Sequence, residues 1–517
     1  MASLWKNSPS VPLSTPTSST FQSAFIQPAS SSSTIVVTSL AVIVSLLVLE
    51  QVVYRSKKAS LPGDKWTIPI IGKFADSRSP TLQKYMKSWN SGALSAVSVF
   101  NIFIVMASSN EYTRKIFNSP TYAEPCLVAS AKQILLPENW VFLTGKIHVD
   151  YRRVLNTLFT RKALAVYLQT MDTVSRKHYA QWLADAKKNP SPKQIMMTSR
   201  ELNMETSLRV FCGKHIPDHI IPVITDHYWL ITKALQLVNF PFALPGTNVY
   251  NAIQARKLVM KWLEHAAAES KKHIAAGGDI ECMLDAWVSE LRSQESTSTS
   301  TATKRDFSDH EMAMVVLSFL FASQDAMSSG IIYLFQHFAD YPDVLAKVRE
   351  EQEKVRGGDV SKAMTLEMLD DMPYMKAAIK ESLRIKPPVT MVPYKTTRAF
   401  PISDSYVVPA NSIVIPSVYP SLHDPEVYPS PSSYTPSRWL DPQSTANTTP
   451  KNYLVFGSGP HKCIGVEYAM MHMACAMGIA SVMMEWEHVR TEDSDDTEII
   501  AALFPKDGCY LKVSPRQ

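Results

Sequence analysis

The residues whose types and spacing could do most chemistry lie near the C-terminus, in Phe456-Gly457-Ser458-Gly459-Pro460-His461-Lys462-Cys463-Ile464-Gly465. Glycines and a proline ahead of the cysteine make a tight loop, and such a loop lets the backbone approach a flat ligand closely. A helical pattern begins near Gly465 and continues to about Trp486. Cys463 therefore stands at a helix N-terminus, where the dipole and free backbone N–H groups favour a thiolate, the form that ligates metals. A lone cysteine is more often a small buried hydrophobe, and that reading suits Cys126, Cys212, Cys282, Cys475 and Cys509.

Other constellations accompany the loop. Glu381 and Arg384 in KESLR are three residues apart, which puts both on one helix face; an exposed ion pair is the ordinary meaning of that spacing. Arg438 follows in Pro436-Ser437-Arg438-Trp439. Upstream, Gly145-Lys146-Ile147-His148-Val149-Asp150-Tyr151-Arg152-Arg153 places His148 and Arg152 four apart, and Arg is the preferred partner of carboxylates. A histidine in a helical segment is otherwise a surface or satisfied core residue. In Phe321-Ala322-Ser323-Gln324-Asp325-Ala326-Met327-Ser328-Ser329, Asp325 and Ser328 share a face and could, with water, pass protons. A helical serine more often bonds its own backbone.

The decapeptide agrees at every fixed position with F-x-x-G-x-[H/R]-x-C-x-G, and the chain resembles the cytochrome P-450 superfamily of haem-thiolate monooxygenases from the apolar N-terminal segment to its C-terminus. The resemblance implies haem b (iron protoporphyrin IX) with Cys463 as axial ligand and Phe456, Gly459, His461 and Gly465 around the cofactor. Thiolate ligation pushes electron density into the iron and favours O–O cleavage. In such proteins Glu381 and Arg384 stand for E-x-x-R, and Arg438, in P-x-R-[F/W], locks that pair. His148 and Arg152 stand for the W-x-x-x-R propionate clamp, with His where Trp is usual; Arg152 and His461 would be the charged donors to the haem carboxylates. The central segment stands where the family has [A/G]-G-x-[D/E]-T. Ser323 replaces Gly, and Ala326 replaces the Thr that helps protonate dioxygen, so Asp325 with Ser328 is expected to supply a substitute relay. The family further implies NADPH-derived electrons through an NADPH-cytochrome P-450 reductase, with cytochrome b5 as a second donor, and residence in the endoplasmic reticulum membrane.

FLFASQD, with SPTYAEPCLVASAKQILLPENWVFLTGK, LVNFPFALPGT and RIKPPVTMVPYK, is similar to the sterol C-22 desaturase branch of that superfamily, although Met327 departs from it. The branch implies formation of a C22–C23 side-chain double bond in ergosterol biosynthesis. A sterol needs a long apolar cavity, for which Leu135, Leu136, Val141, Phe142, Val389 to Val392 and the Phe240 to Leu244 segment are candidates. A sterol hydroxylase or demethylase on the same fold is the alternative, and a non-catalytic haem or sterol-binding membrane protein the rival from another class.

These residues must be positioned mainly by helices. Segments of 3.6-residue period outnumber alternating ones. Ser308 and Glu311 form an S-x-x-E capping box ahead of about thirty apolar residues that end at Tyr341 and Pro342; apolar on most faces, that stretch predicts a helix through the core. Pro373 to about Ile385 predicts a shorter one, while Tyr406 to Val408 and Ser412 to Ile415 read as small strands. The expected fold is mainly α with small β-sheets.

Along the 517 residues, 1–33 are rich in Ser, Thr and Pro and read as a disordered tail. Residues 34–54 read as a single transmembrane anchor, and the basic residues behind it orient the rest toward the cytoplasm. Residues 55–72 read as a basic, proline-containing hinge, and 73–517 as one catalytic domain interrupted by a Ser/Thr stretch from Ser293 to Thr303. A net charge of +5 argues against a nucleic-acid partner. Six cysteines without framework spacing fit a reducing, cytosol-facing compartment.

Overall fold

The structure, a computed structural model, describes residues 31–73, 81–128, 130–235, 242–297 and 306–516. The chain forms two compact units, Met1–Glu50 and Gln51–Gln517. In the first, helix α1 (Ser31–Lys58) begins; its apolar side chains from Ile35 to Leu49 are largely exposed. Exposed apolar surface of that extent needs a lipid or protein cover, and Thr34–Lys58 is long and apolar enough to cross a membrane. Most of the predicted tail lies outside the described residues; Ser31 to Ser33 are helical. The helix itself continues past residue 54, through its basic end, to Lys58.

The second unit is mainly helical. Six of its helices position the site: α2 (Gly145–Asn156), α3 (Met196–Cys212), α4 (Ile221–Ala234), α5 (Asp309–Asp340), α6 (Pro373–Ile385) and α7 (Val466–Met483). Helix α5 starts as expected: Ser308 Oγ accepts from Glu311 N, and the Glu311 carboxylate accepts from Ser308 N, closing the capping box. It ends at Asp340, before Tyr341 and Pro342, and runs through the largest hydrophobic cluster with most of its side chains buried. α5 and α7 also have membrane-span length and apolarity, but they are 78% and 72% buried inside the protein and build its core. Helix α7 is shorter than its apolar pattern suggested. Met484–His488 leaves the helix to pair antiparallel with Tyr510–Pro515, Trp486 opposite Val513, so long-range pairing ends the helix.

The main sheet is five-stranded. Its strands are β1 (Leu94–Val99), β2 (Ile102–Ala107), β3 (Ala123–Pro125), β4 (Tyr394–Thr396) and β5 (Ile413–Pro416), in the order β1-β2-β5-β4-β3. β2 and β5 run parallel and the other pairs antiparallel. This sheet carries a second apolar cluster around Phe103, Val105 and Val414.

Candidate active site

The cysteine loop is held by its own backbone. Cys463 N donates to Phe456 O at 2.9 Å, and Gly457 and Gly459 take φ of +69° and +74°. A Cβ on Gly459 would lie 2.2 Å from Phe117 O, so only glycine fits against that neighbouring carbonyl. Cys463 is the exposed one of the six cysteines; the others are buried or half-buried. Protein atoms nevertheless crowd its sulfur enough to desolvate it. Burial pushes its thiol up, opposed by the Gly465 N–H and by the charges of Arg152 and Lys462. Burial thus works against the thiolate that the helix N-terminus favours, and the protein atoms alone do not secure it. A metal would, since coordination deprotonates a thiol outright.

Beside the loop, the structure brings His148, Arg152 and His461 together. The His148 and His461 rings lie 4.1 Å apart, Trp140 stacks on His148 at 6.0 Å, and Arg152 donates to Lys462 O at 2.5 Å. Burial, then His148 and Arg152, hold His461 down at about 4, and burial with Arg152 lowers His148 as well. With no carboxylate beside them, both imidazoles are thus held toward the neutral form next to the Arg152 guanidinium; a carboxylate brought among the three would favour protonation of both. Trp140 was not foreseen. Its indole N–H is buried without a protein partner, and its signal in the sequence, an aromatic eight residues ahead of His148, is too generic to read.

A planar, carboxylate-bearing metal cofactor fits this place on three counts. The loop offers an accessible thiol, Gly457 and Gly465 have open space where a Cβ would go, and the orphan indole joins Arg152 and two imidazoles as carboxylate partners.

The E-x-x-R pair is no surface ion pair. Glu381 and Arg384 are fully buried and bidentate, with both N–O distances 2.9 Å. Arg438 Nε and Trp439 Nε1 reach the same carboxylate at 2.9 and 2.8 Å, and Thr435 N donates to it at 3.1 Å. Arg384 also donates to Leu422 O and Pro431 O. Every polar atom of this buried pair is used, which is what makes a buried charge tolerable. Trp439 as a fifth member was not anticipated.

On α5, the accessible face is Phe321, Ala322, Ser323 and Ala326, in the middle of an otherwise buried helix. Asp325 points off that face. Its carboxylate is in a buried ion pair with Arg200 of α3 and accepts from Thr232 Oγ1 of α4 at 3.1 Å; the Arg200 guanidinium lies 4.5 Å over Trp229. Ser328 is buried and donates to Gln324 O at 2.6 Å, one turn back on its own helix. The expected pairing of Asp325 with Ser328 is thus not what the structure assembles. The acid is committed to α3 and α4, and the serine to its own backbone. Among the cavity candidates, Leu136, Val141, Phe142, Met391 and Val392 are half-buried and Val389 is exposed. Leu135 is fully buried core, Thr390 is buried, and residues 240–241 lie outside the described set.

Taken together, the fold and site define a haem-thiolate protein, and the chain belongs to the family described as Cytochrome P450, whose profile matches residues 63–513. It is 44% identical over 474 residues to the C-22 sterol desaturase erg5 of Aspergillus fumigatus, spanning 89% of this chain and 91% of that one. It is 42% identical to the C-22 sterol desaturase ERG5 of Saccharomyces cerevisiae over 91% of this chain and 88% of the relative. Cytochrome P450 monooxygenase oblE of Emericella variicolor is 41% identical over 92% of both. Retinoic acid bound cyanobacterial CYP120A1 shares the fold, with a TM-score of 0.76 at 20% identity, covering 88% of this chain and 99% of that one.

Proposed function

We propose that this protein is a sterol C-22 desaturase that removes two hydrogens across C22–C23 of a sterol side chain. The observation that carries the reading is identity of 44% and 42% to two proteins named for that reaction, across about nine-tenths of the chain, around an intact thiolate loop. Haem, held by Cys463, supplies the activation of dioxygen. Arg152, His148, His461 and Trp140 hold its carboxylates, Gly457 and Gly465 leave its face room, and Phe456 and Gly459 hold the loop in shape beside it. Glu381, Arg384 and Arg438 keep the surrounding loops in place. Asp325 positions α5 through Arg200 and Thr232, and it could donate a proton only if that pair opened. Ser328 steadies the helix behind it. Half-buried Leu136, Val141 and Phe142 offer the apolar wall on which the sterol side chain would lie, excluding water. Electrons come from NADPH through a cytochrome P-450 reductase, with cytochrome b5 as auxiliary donor. The protein sits in the endoplasmic reticulum membrane by α1, with the catalytic unit facing the cytoplasm.

The similarly close relative named only as a monooxygenase supports a second reading, oxygen insertion at the same site. Full-length protein in lipid, with reductase, NADPH and a 5,7-diene sterol, separates them by product mass. The expected product is two hydrogens lighter than the sterol. A product one oxygen heavier would establish the hydroxylase. A thiolate-type carbon-monoxide spectrum without any product would leave a binding protein. Cys463→Ala should lose that spectrum; its retention would remove Cys463 as ligand.

A further inference from the structure

Behind the accessible face of α5 lies a file of buried polar side chains that the site has so far not used. Ser323 stands on that face between Ala322 and Ala326, and its hydroxyl meets the Ser207 hydroxyl of α3 at 3.3 Å. Ser207 is fully buried, and the buried Tyr468 hydroxyl of α7, near enough to Ser207 to feel it electrostatically, has no hydrogen-bond partner in the protein. One turn further along α7, the His472 ring lies 6.0 Å from that of Tyr468. His472 is fully buried, and neither of its ring nitrogens has a protein partner. Asn203, one turn before Ser207, donates to Gln324 O at 3.0 Å and leaves its own Oδ1 without a partner.

Buried polar atoms are normally paired with protein or ordered water, and leaving one unpaired costs about 1–3 kcal/mol. Four such atoms, Asn203 Oδ1, Tyr468 Oη and His472 Nδ1 and Nε2, belong to this file, Asn203 one turn from Ser207 and His472 one turn from Tyr468. They call for ordered waters there, because a polar pocket holds water where an apolar one stays dry. Burial keeps His472 neutral, held down at about 4, so it offers one donor and one acceptor nitrogen. The other hydroxyls and the acid of this stretch of α5 are spent: Ser328 on Gln324 O, Ser329 on Leu503 O, and Asp325 on Arg200 and Thr232. Ala326 has none to offer.

We propose that Ser323, backed by Ser207, Tyr468 and His472, is the proton-delivering hydroxyl of the active cavity. At each step one O–H or N–H bond breaks as the next forms. Ordered water at the His472 end relays a proton taken up from bulk solvent and is itself regenerated, one proton reaches the cavity face, and no electron moves along the file. This rests on the monooxygenase chemistry of the proposed function, in which reduction of dioxygen consumes protons, and not on the identity of the sterol.

The test uses full-length holoprotein in lipid, with Ser323→Ala, Ser323→Thr, Ser207→Ala and His472→Phe. The carbon–oxygen stretch of the reduced, carbon-monoxide-bound protein reads the cavity hydroxyl without turnover and without sterol. Peroxide released per NADPH, and its solvent deuterium isotope effect, read proton supply. Expected is a shifted stretch in Ser323→Ala with peroxide share raised on the order of tenfold, given the 100-fold scale of proton-transfer effects. Ser323→Thr should restore both, and Ser207→Ala and His472→Phe should raise peroxide with an unshifted stretch. A parental stretch together with peroxide within about twofold in Ser323→Ala overturns the proposal. Where Ser323→Ala loads no haem, parental peroxide in both Ser207→Ala and His472→Phe overturns it equally. Failure of the sterol reading would leave the stretch and its dependence on Ser323 intact, so the two can be told apart.

Discussion

Gly459 and Gly465 sit six residues apart in the cysteine loop and are glycine for different reasons. Gly459 has φ +74° and a carbonyl 2.2 Å from where a Cβ would stand. Gly465 has an ordinary φ of −92° and nothing within 4 Å of that point. Gly459→Ala should therefore fail in the fold itself, with backbone strain and the clash together costing about 2 kcal/mol or more. Gly465→Ala should unfold at the parental temperature, within about 0.5 kcal/mol, yet purify with a lowered haem-to-protein ratio, because its methyl enters the space the cofactor needs. Thermal unfolding beside haem content checks both; a parental haem ratio in Gly465→Ala would mean that the open space is not the cofactor's. The loop was legible in the sequence because its residues are contiguous. Phe117 O and the Trp140 indole were not, because each arrives from more than three hundred residues upstream with no local pattern to mark it.

At the scale of elements, the Asp325 clasp ties three helices together. Arg200 comes from α3, Thr232 from α4 and Asp325 from α5, and the ion pair is almost completely buried. Removing one partner of a buried pair leaves an uncompensated charge and costs about 3–5 kcal/mol, whereas replacing both with apolar side chains is often neutral. Asp325→Asn should accordingly lower the unfolding temperature and the yield of holoprotein, and Asp325→Leu with Arg200→Met should recover most of the loss. Chemical denaturation of the two variants beside the parent measures this. Asp325→Asn with parental stability and turnover slowed on the order of 100-fold would return the acid to the proton relay that its spacing suggested. The central helix was readable from its capping box and its terminal Tyr-Pro, which are local signals. Its working face was not: which of Ser323, Asp325 and Ser328 meets the cavity depends on Arg200 and Thr232, and on Ser207, none of which has a sequence spacing that points to α5.

For the whole molecule, the end of α1 decides where an anchor stops and an enzyme starts. The apolar part of the helix is exposed, but Gln51 and Tyr54 are buried in the unit that begins at Gln51. Gln51 Oε1 accepts from Thr67 N at 3.1 Å, the Tyr54 ring meets Phe103 edge-on at 6.1 Å, and Tyr406 Oη donates to Lys57 O at 2.6 Å. Arg55 lies over Trp66 at 3.6 Å and donates to Lys65 O. Composition alone put the end of the anchor at residue 54; the contacts argue for a cut before Gln51. A chain of residues 51–517 should leave the membrane fraction largely, load haem and unfold at the parental temperature. A chain of residues 59–517 loses Tyr54 from the Phe103 cluster, a burial worth about 1.5–3 kcal/mol by itself, and should unfold several degrees lower with less haem. Both should retain some lipid affinity through exposed Trp66, Ile68, Ile70, Phe242 and Leu244, since apolar surface at an interface binds in proportion to its area. Trp66→Ser with Phe242→Ser in the 51–517 background should release that remainder. Vesicle sedimentation and thermal unfolding of the three proteins decide the matter. Equal stability of the 51–517 and 59–517 chains would show that the last turns of α1 serve the anchor alone, and undiminished vesicle binding in the double-serine variant would place the second membrane contact elsewhere.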